Sequence, residues 1–260
     1  MAKIISITNQ KGGVGKTTTS INLAASLVKR GQRILLIDMD PQGNASVGCG
    51  VDLDKTTTAT IYDLLLLETT AKEAVIKTSS GIDVITANGD LAGAQVELLN
   101  EIGRELRLQK ALASIGDEYD YIFIDCPPAL NVLTINALVA SNSVMIPMQC
   151  EYFALEGLSA LISTIRKIRE TLNPNLKIEG LLRTMFDSRN GLSKEVSKQL
   201  QTHFGDKVYN TIIPRNIRLA EAPSYGEPAI VYDPNSKGSK AYLALADEFL
   251  ELAEVKAKGS

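Results

Sequence analysis

The chain has 260 residues, of which 45% are hydrophobic and 22% are charged, and its formal net charge is −3. These values are ordinary for one large domain with a sizeable core, and they give no compositional sign of a nucleic-acid partner. The three cysteines, Cys49, Cys126 and Cys150, form no CxxC pair, which favours reduced, buried thiols. With no long apolar run and no cleavable leader, we expect a cytoplasmic protein.

Short apolar runs alternate along the chain with longer segments of helical period. The predicted strands cover residues 4–8, 33–38, 82–86, 121–125, 143–147, 176–184 and 208–209. The predicted helices cover residues 16–30, 91–115, 132–140, 155–171, 193–204 and 240–253. Strands that are apolar throughout are buried on both faces, which indicates a parallel sheet covered by helices. We therefore predict an α/β, doubly wound, mostly parallel sheet in a single domain over residues 1–260, with a disordered tail over 256–260.

A glycine-rich loop follows the first predicted strand and precedes the first predicted helix, and it reads Lys11-Gly12-Gly13-Val14-Gly15-Lys16-Thr17-Thr18. Glycines let backbone N–H groups converge on phosphate oxygens, and the helix N-terminus adds partial positive charge. In this order of strand, loop and helix, Lys16 is placed to reach the β- and γ-phosphates and Thr17 to ligate Mg²⁺. The sequence predicts an ATP site that requires Mg²⁺ and uses these eight residues.

Carboxylates stand at the ends of two further predicted strands. Asp38 and Asp40 lie two residues apart, so they point to the same side of an extended chain, and Asp125 ends the apolar run Tyr121-Ile122-Phe123-Ile124. Ligands of open α/β sheets bind at this carboxyl edge. Phosphoryl transfer to water needs Mg²⁺ and an oriented nucleophile, so we expect Asp125 to hold Mg²⁺ through water. The Pro127-Pro128 loop after it is a candidate switch.

The phosphate loop, with a lysine at its first position, resembles the deviant Walker A motif of the ParA/MinD family of P-loop NTPases. That resemblance implies a nucleotide-sandwich homodimer in which Lys11 contacts the phosphates bound by the other subunit. It implies catalytic roles for Lys11, Lys16 and Asp40, with Asp40 orienting the attacking water. It also implies that Asp38 supports Mg²⁺ through its water shell.

Two further segments extend the resemblance to the short ParA/Soj proteins, 150–157 (CEYFALEG) and 212–226 (IIPRNIRLAEAPSYG). In that family the Pro-Arg-Asn stretch lines the adenine pocket, which implies that Pro214, Arg215 and Asn216 contact the base, with Met185 as a further candidate. Because the phosphate loop begins at residue 11, we expect no N-terminal helix-turn-helix domain.

The resemblance leaves other branches of the family to consider. Membrane-positioning ATPases like MinD end in a basic amphipathic helix, whereas residues 247–254 here are acidic, opposite to what an anionic membrane attracts. ATPases that carry metal clusters need paired interface cysteines, which this chain lacks. Neither class fits the sequence well, and we expect no membrane partner.

A basic stretch favours DNA as the partner. Residues 160–219 contain eleven basic and five acidic residues, a net charge of +6 inside an acidic protein. By resemblance, Arg189 and Arg218 occupy the positions of two arginines that bind non-specific DNA. Lys194 and Lys198, one helical turn apart, would extend that surface. Arg183 departs from the family pattern, and we expect it either to add charge near the DNA or nucleotide face or to form a local ion pair.

Together these features predict a weak, Mg²⁺-dependent ATP hydrolase of the ParA/Soj type. Its ATP-bound dimer would bind non-specific double-stranded DNA on the nucleoid, and a ParB-type centromere-binding partner would stimulate hydrolysis. The expected result is segregation of chromosome or plasmid origins. The alternatives are a membrane-positioning ATPase like MinD and a nucleotide-gated regulator of a replication or polarity protein.

Overall fold

Eight strands form one sheet with helices on both faces in the computed structural model, which describes residues 2–258, with side chains described for residues 2–255. The strands are β1 Lys3–Ile7, β2 Ile34–Asp38, β3 Val75–Lys77, β4 Asp83–Ile85, β5 Tyr121–Asp125, β6 Ser143–Gln149, β7 Lys177–Phe186 and β8 Val208–Pro214. Their order in the sheet is β3-β4-β2-β5-β1-β6-β7-β8, and every neighbouring pair is parallel except β3 with β4. The predicted doubly wound α/β fold is confirmed.

The helices alternate with these strands along the chain. They are α1 Lys16–Val28, α2 Asn44–Gly48, α3 Ile61–Leu66, α4 Ala71–Ala74, α5 Leu91–Glu97, α6 Arg107–Leu112, α7 Val132–Ala140, α8 Ala154–Thr171, α9 Gly191–Phe204, α10 Ile217–Glu221, α11 Ala229–Tyr232 and α12 Lys237–Lys258. The described part of the chain also has 3₁₀ turns at Leu98–Asn100, Arg104–Leu106, Gly205–Lys207 and Ala222–Tyr225. No helix among residues 2–258 has the length and apolar character needed to cross a bilayer.

The central strands are apolar on both faces because both faces are covered. In β2, Ile34 and Leu36 join the core cluster that includes α1 and α12, whereas Leu35 and Ile37 join the cluster that includes α3, α6 and α7. In β5, Phe123 belongs to the first cluster. A third cluster packs α8 and α9 against β6 and β7.

One long predicted helix is wrong. Residues 91–115 form α5, two 3₁₀ turns and α6 instead of a continuous helix. The break lies at Glu101, which is extended, and Gly103, which has a φ of 70° that favours glycine. The side chain of Asn136 on α7 then holds the restarted chain, bonding Leu108 N–H and the Arg104 carbonyl. Tertiary contacts therefore override a helical period.

The last strand is longer than predicted because a helix completes its hydrogen bonding. The sequence pattern stops at Tyr209, yet β8 continues to Pro214. Glu248 of α12 accepts the backbone N–H groups of Asn210 and Thr211 at 2.6 and 2.8 Å. The predicted tail over 256–260 overlaps α12, which continues to Lys258, and its last two residues lie outside the described residues.

Arg183 fulfils neither of its two expected roles. Its side chain is buried in β7, where the guanidinium donates to the Ser197 hydroxyl at 2.8 Å and to the Tyr209 and Asn210 carbonyls at 2.7 and 3.0 Å. Burial lowers the pKa of Arg183. These partners are neutral, so Arg183 fixes β8 and α9 against β7 and adds no charge to the surface.

We expect Gly180→Ala to destabilise the protein by roughly 1–3 kcal/mol, because the new methyl group would overpack the sheet. A Cβ at residue 180 would overlap the buried ring of Tyr209 on β8. Gly157 in α8 has open space around it, so Gly157→Ala should raise stability by up to about 1 kcal/mol through helix propensity. Chemical denaturation measures both, and equal stability of the two variants would contradict this packing argument.

Candidate functional site

The glycine-rich loop forms the turn that leads from β1 into α1 at the carboxyl edge of the sheet. Gly13 and Gly15 have φ values of 72° and 87°, in the left-handed region that glycine adopts without a steric cost. Gly15 is the N-cap of α1 and makes no side-chain cap, so the first N–H groups of the helix face outward. The Val14 side chain is buried, and its carbonyl accepts the Thr184 hydroxyl at 2.7 Å.

The two lysines of the loop point in different directions. Lys16 is buried, and its ammonium donates to the Lys11 carbonyl at 3.1 Å. Burial lowers the pKa of Lys16, and the charge of Asp125 opposes that shift. The Lys11 side chain is half-exposed and forms an ion pair with Glu151 at 2.5 Å. Lys16 therefore faces its own site, and Lys11 lies at the rim.

Asp125 joins the phosphate loop to the sheet. Its carboxylate is fully buried and accepts the Thr17 hydroxyl at 2.7 Å and the Ser20 hydroxyl at 2.8 Å. Ser20 was missed in the sequence, where only its position one helical turn after Lys16 could have indicated a role. Among the described residues, no cluster of three or more His, Cys, Asp or Glu side chains could hold a metal. A Mg²⁺ ion here would depend on hydroxyl, phosphate and water oxygens.

Asp38 and Asp40 have different environments although both follow β2. Asp38 is opposite Asp125 in the register of β2 and β5, and it accepts the backbone N–H and the hydroxyl of Ser46, each at 2.8 Å. Asp40 is half-buried and accepts the Gln42 backbone N–H at 3.0 Å. Asp38 is therefore held inside the protein, while Asp40 lies at the surface of the cavity that the phosphate loop borders.

The buried carboxylates of Asp38 and Asp125 are difficult to ionise together. Desolvation raises the pKa of Asp125 to about 7, and the nearby charge of Asp38 contributes to that rise. Desolvation also raises the pKa of Asp38 to about 6, although hydrogen bonds from Ser46 oppose it. A divalent cation beside this pair would favour the ionised form, which is what a Mg²⁺ site requires.

Two adjoining cavities extend across this edge. The first has a volume of about 480 Å³, and Gly12, Gly13, Gly15, Lys16, Thr17, Thr18, Asp40, Gln42, Asn44, Pro128 and Met185 line it. The second has about 150 Å³, and its lining includes Met185, Pro214, Arg215 and Asn216. Gly15, Thr18 and Met185 belong to both. Six of the eight predicted phosphate residues line the first cavity, without Lys11 and Val14, and the predicted adenine residues line the second.

The shape and donors of the paired cavities fit Mg²⁺ and ATP. The phosphate end has a helix N-terminus and a buried ammonium, and the base end is lined by apolar side chains such as Ile213 and Leu219. Met185, which has a φ of 48°, stands between the two ends and accepts the Gln149 amide at its sulfur. Pro128 also reaches the phosphate end, as expected for the loop after β5.

Of the cations predicted to bind DNA, Arg189 and Arg218 follow the carboxyl ends of β7 and β8, whereas Lys194 and Lys198 lie on α9, which connects these two parallel strands. Arg189 is 89% exposed and pairs with Asp187, and Arg218 is 46% exposed and pairs with Glu221 and Asp233. Lys194 and Lys198 are exposed on α9. The Arg189 hydrogen bonds lower the pKa of Asp187 to about 2, and the charge of Arg215 contributes to that shift.

The basic segment 160–219 does not form one continuous surface. Lys177 begins β7 and Arg189 follows its end, and a ten-residue strand spans about 30 Å. Arg169, Lys177 and Lys207 line a separate cavity at the amino edge, together with Lys3 and the buried Glu179. Because Arg183 is also buried, the net charge of the segment overstates the charge beside the nucleotide site.

A phosphate loop that leads from β1, inside a mostly parallel sheet, into α1, with buried carboxylates at the ends of the neighbouring strand β5 and of β2 beyond it, defines a P-loop ATPase. The family model described as AAA domain matches residues 2–178. The chain is 53% identical to the sporulation initiation inhibitor protein Soj of Bacillus subtilis, covering 95% of this chain and 98% of that protein. It is 51% identical to the chromosome partitioning protein ParA of Caulobacter vibrioides, covering 95% of this chain and 94% of that protein.

A solved structure agrees with this classification. Cobyrinic acid a,c-diamide synthase from Mycobacterium smegmatis, with a bound ATP analog and magnesium, superposes with a TM-score of 0.85 at 36% identity, covering 98% of this chain and 96% of that one. The chain belongs to the ParA/Soj family, as its phosphate loop predicted.

We expect the protein without nucleotide and Mg²⁺ to lose stability as the pH rises from 5 to 8. The pKa values of Asp38 and Asp125 are raised in the fold, so their contribution is complete below about pH 4 and is lost as the pH rises through 6 and 7. Asp125→Asn should reduce this loss, by on the order of a few kcal/mol. Unfolding curves at several pH values measure it, and parallel profiles for the two proteins would contradict it.

Proposed function

We propose that this ATPase partitions DNA. Two ATP-bound copies pair and bind non-specific double-stranded DNA, and hydrolysis, stimulated by a ParB-type centromere-binding protein, separates them and releases the DNA. The support begins with the family, because relatives at 51% identity are named chromosome partitioning proteins. Such a protein works in the cytoplasm, on the nucleoid while ATP is bound.

The orientation of Lys11 carries the proposal. Its ammonium points to Glu151 and Lys11 does not line the phosphate cavity, although its backbone belongs to the loop. A lysine that only served its own nucleotide would face inward, as Lys16 does. A lysine at the rim is suited to the phosphates of a second copy that faces the first. The bound nucleotide would then hold the two copies together.

We assign roles to the remaining residues of the site on the basis of their positions. Bound Mg²⁺ and ATP would supply the scissile phosphate bond and the cation that offsets its charge. Lys16 and the N-terminus of α1 hold negative charge at the base of the cavity, and Thr17 and Asp125 present oxygens beside it. Asp40, half-buried at the cavity, is placed to orient a water molecule. Asp38 accepts the Ser46 hydroxyl and so supports the loop between β2 and α2, which contains Asp40.

Pairing also explains how a weak DNA contact becomes useful. Arg189 and Arg218 are exposed near the carboxyl edge, and Lys194 and Lys198 are exposed on α9. Two copies would present two such sets to one duplex. Linked contacts gain avidity, so DNA affinity would depend on nucleotide state. The ion pairs of Arg189 and Arg218 are exposed and therefore weak, so phosphates compete for these arginines at small cost.

The final helix argues against the membrane alternative. Tyr242, Leu245 and Phe249 of α12 are fully buried against the core that α1 and the sheet also form. The apolar face of α12 is therefore used inside the protein, whereas an interfacial helix presents that face to lipid.

We expect Asp40→Ala to bind ATP and pair normally but to hydrolyse ATP roughly 100-fold more slowly, because the residue that orients water is removed while the phosphate loop is intact. Phosphate release and light scattering of the ATP-bound protein measure the two properties. Asp54→Ala is the control, because Asp54 is an exposed acid that also follows β2 in the sequence. Wild-type turnover by Asp40→Ala would exclude the proposed role.

We expect the ATP-bound protein to co-sediment with random-sequence DNA and not with anionic vesicles, and Arg218→Ala to weaken DNA binding without affecting ATP-dependent pairing. Removing one arginine–phosphate interaction should make the dependence of affinity on salt shallower by about one in logarithmic slope. Arg30→Ala is the matched control, because Arg30 also pairs with an acid, but that acid, Asp247, belongs to α12.

Other outcomes of this sedimentation assay discriminate among the alternatives. Binding to vesicles alone would favour a membrane-positioning ATPase. Binding to neither DNA nor vesicles, with pairing retained, would favour a nucleotide-gated regulator of another protein. An Arg218→Ala variant that sediments with DNA as wild type does at every salt concentration would remove this arginine from the DNA surface.

A further inference from the structure

The ion pair between Lys11 and Glu151 joins two neighbouring strands at the rim of the cavity. β1 leads into the phosphate loop, and β6, its parallel neighbour, leads into the turn that contains Glu151. The Lys11 and Glu151 side chains are 47% and 51% exposed, and their charged atoms are 2.5 Å apart. Because the residues are 140 positions apart in sequence, the contact depends on the sheet.

Hydrogen bonds hold the backbone on both sides of this pair, so a change of partner for Lys11 needs only a movement of side chains. Asn9 donates its side-chain amide to the Pro147 carbonyl of β6 at 2.8 Å and accepts the Lys11 backbone N–H at 3.0 Å. The Lys11 carbonyl accepts the Lys16 ammonium. On the other strand, the Ala154 N–H bonds to the Glu151 carbonyl and closes the turn.

We propose that Glu151 is a positioning residue for Lys11, and that pairing of two copies exchanges this ion pair for the nucleotide phosphates of the second copy. Within one copy, Glu151 holds the ammonium at the rim and satisfies its charge. Pairing must then break two such ion pairs, one in each copy. Glu151 thereby raises the dissociation constant of the dimer, so that a higher concentration of nucleotide-bound protein is needed for pairing. The inference rests on the proposed function, because it presupposes that Lys11 acts across a dimer.

The exposure of the pair fixes the size and character of the effect. An exposed ion pair contributes little, equivalent to roughly a 1.5- to fivefold change in an equilibrium constant. Two pairs would change the dimer dissociation constant by roughly two- to twenty-five-fold. Because both side chains are half-exposed, added salt should screen the interaction and reduce the effect.

The experiment compares Glu151→Gln with Glu151→Asp and wild type by analytical ultracentrifugation, in the presence of Mg²⁺ and a non-hydrolysable ATP analogue. Glu151→Gln removes the charge and keeps the shape, so we expect its dimer dissociation constant to fall by roughly two- to twenty-five-fold. Glu151→Asp keeps the charge and should stay near wild type. The advantage of Glu151→Gln should shrink as salt rises to about 1 M.

Glu170→Gln is the matched control, because it makes the same change in net charge. Glu170 is also exposed, but it lies at the far end of α8 from Glu151. If Glu170→Gln tightened the dimer equally, the effect would come from net charge and the inference would be wrong. A wild-type or weaker dimer in Glu151→Gln would also overturn it, the weaker dimer meaning that Glu151 guides Lys11 across the interface. A wild-type protein that never pairs would instead refute the proposed function.

Discussion

The carboxylate of Asp125 is the group on which the rest of the site depends. It is buried at the end of a central strand and is held by the Thr17 and Ser20 hydroxyls from the first two turns of α1. A buried carboxylate without partners is costly, so these bonds fix where the helix begins relative to the sheet. Because the phosphate loop ends where the helix begins, the same bonds place its N–H groups and Lys16. The register of the sheet then sets Asp38 opposite Asp125.

The burial of Asp38, Asp125 and Lys16 close together is electrostatically unfavourable, and a bound cation would offset the charge of the two acids. Two acids with raised pKa values lie near a buried lysine whose pKa is lowered by the same burial. Burial disfavours the charged form of each of the three groups. A magnesium ion with its phosphates supplies positive charge beside the acids and negative charge beside the lysine. The site is therefore suited to magnesium and nucleotide phosphates that bind together, because each of the two compensates a different buried group.

Much of this could be predicted from sequence because the strongest signals are local. Uninterrupted apolar runs identified the parallel strands, and the helix over residues 132–140 was predicted with its observed bounds. The phosphate loop was recognised by its glycines and lysines, and both Asp38 and Asp125 end strands as expected. The roles assigned to the individual site residues stay predictions, although the structure brings most of the phosphate set and the adenine set into adjoining cavities.

What sequence could not predict depends on distant contacts. The helix over 91–115 was wrong because Gly103 and the bonds from Asn136 stop it. The partner of Lys11 is 140 residues away, and no local pattern indicates Glu151. Net charge was misleading in the same way, since a strand of about 30 Å divides the basic segment between two edges. Arg183 shows that a charged residue counted in a segment can lie wholly in the interior.

The bonds from Glu248 to β8 have a consequence for how copies of the protein meet. β8 is the last strand of the sheet, and an outer strand with unpaired N–H groups is a template for a strand from another molecule. Here the Glu248 carboxylate already accepts two of those N–H groups, so they cannot pair with an incoming strand. Growth of the sheet by edge-to-edge addition is thus discouraged at this side. The protected edge strand therefore does not compete with the proposed pairing at the loop-bearing end of the sheet.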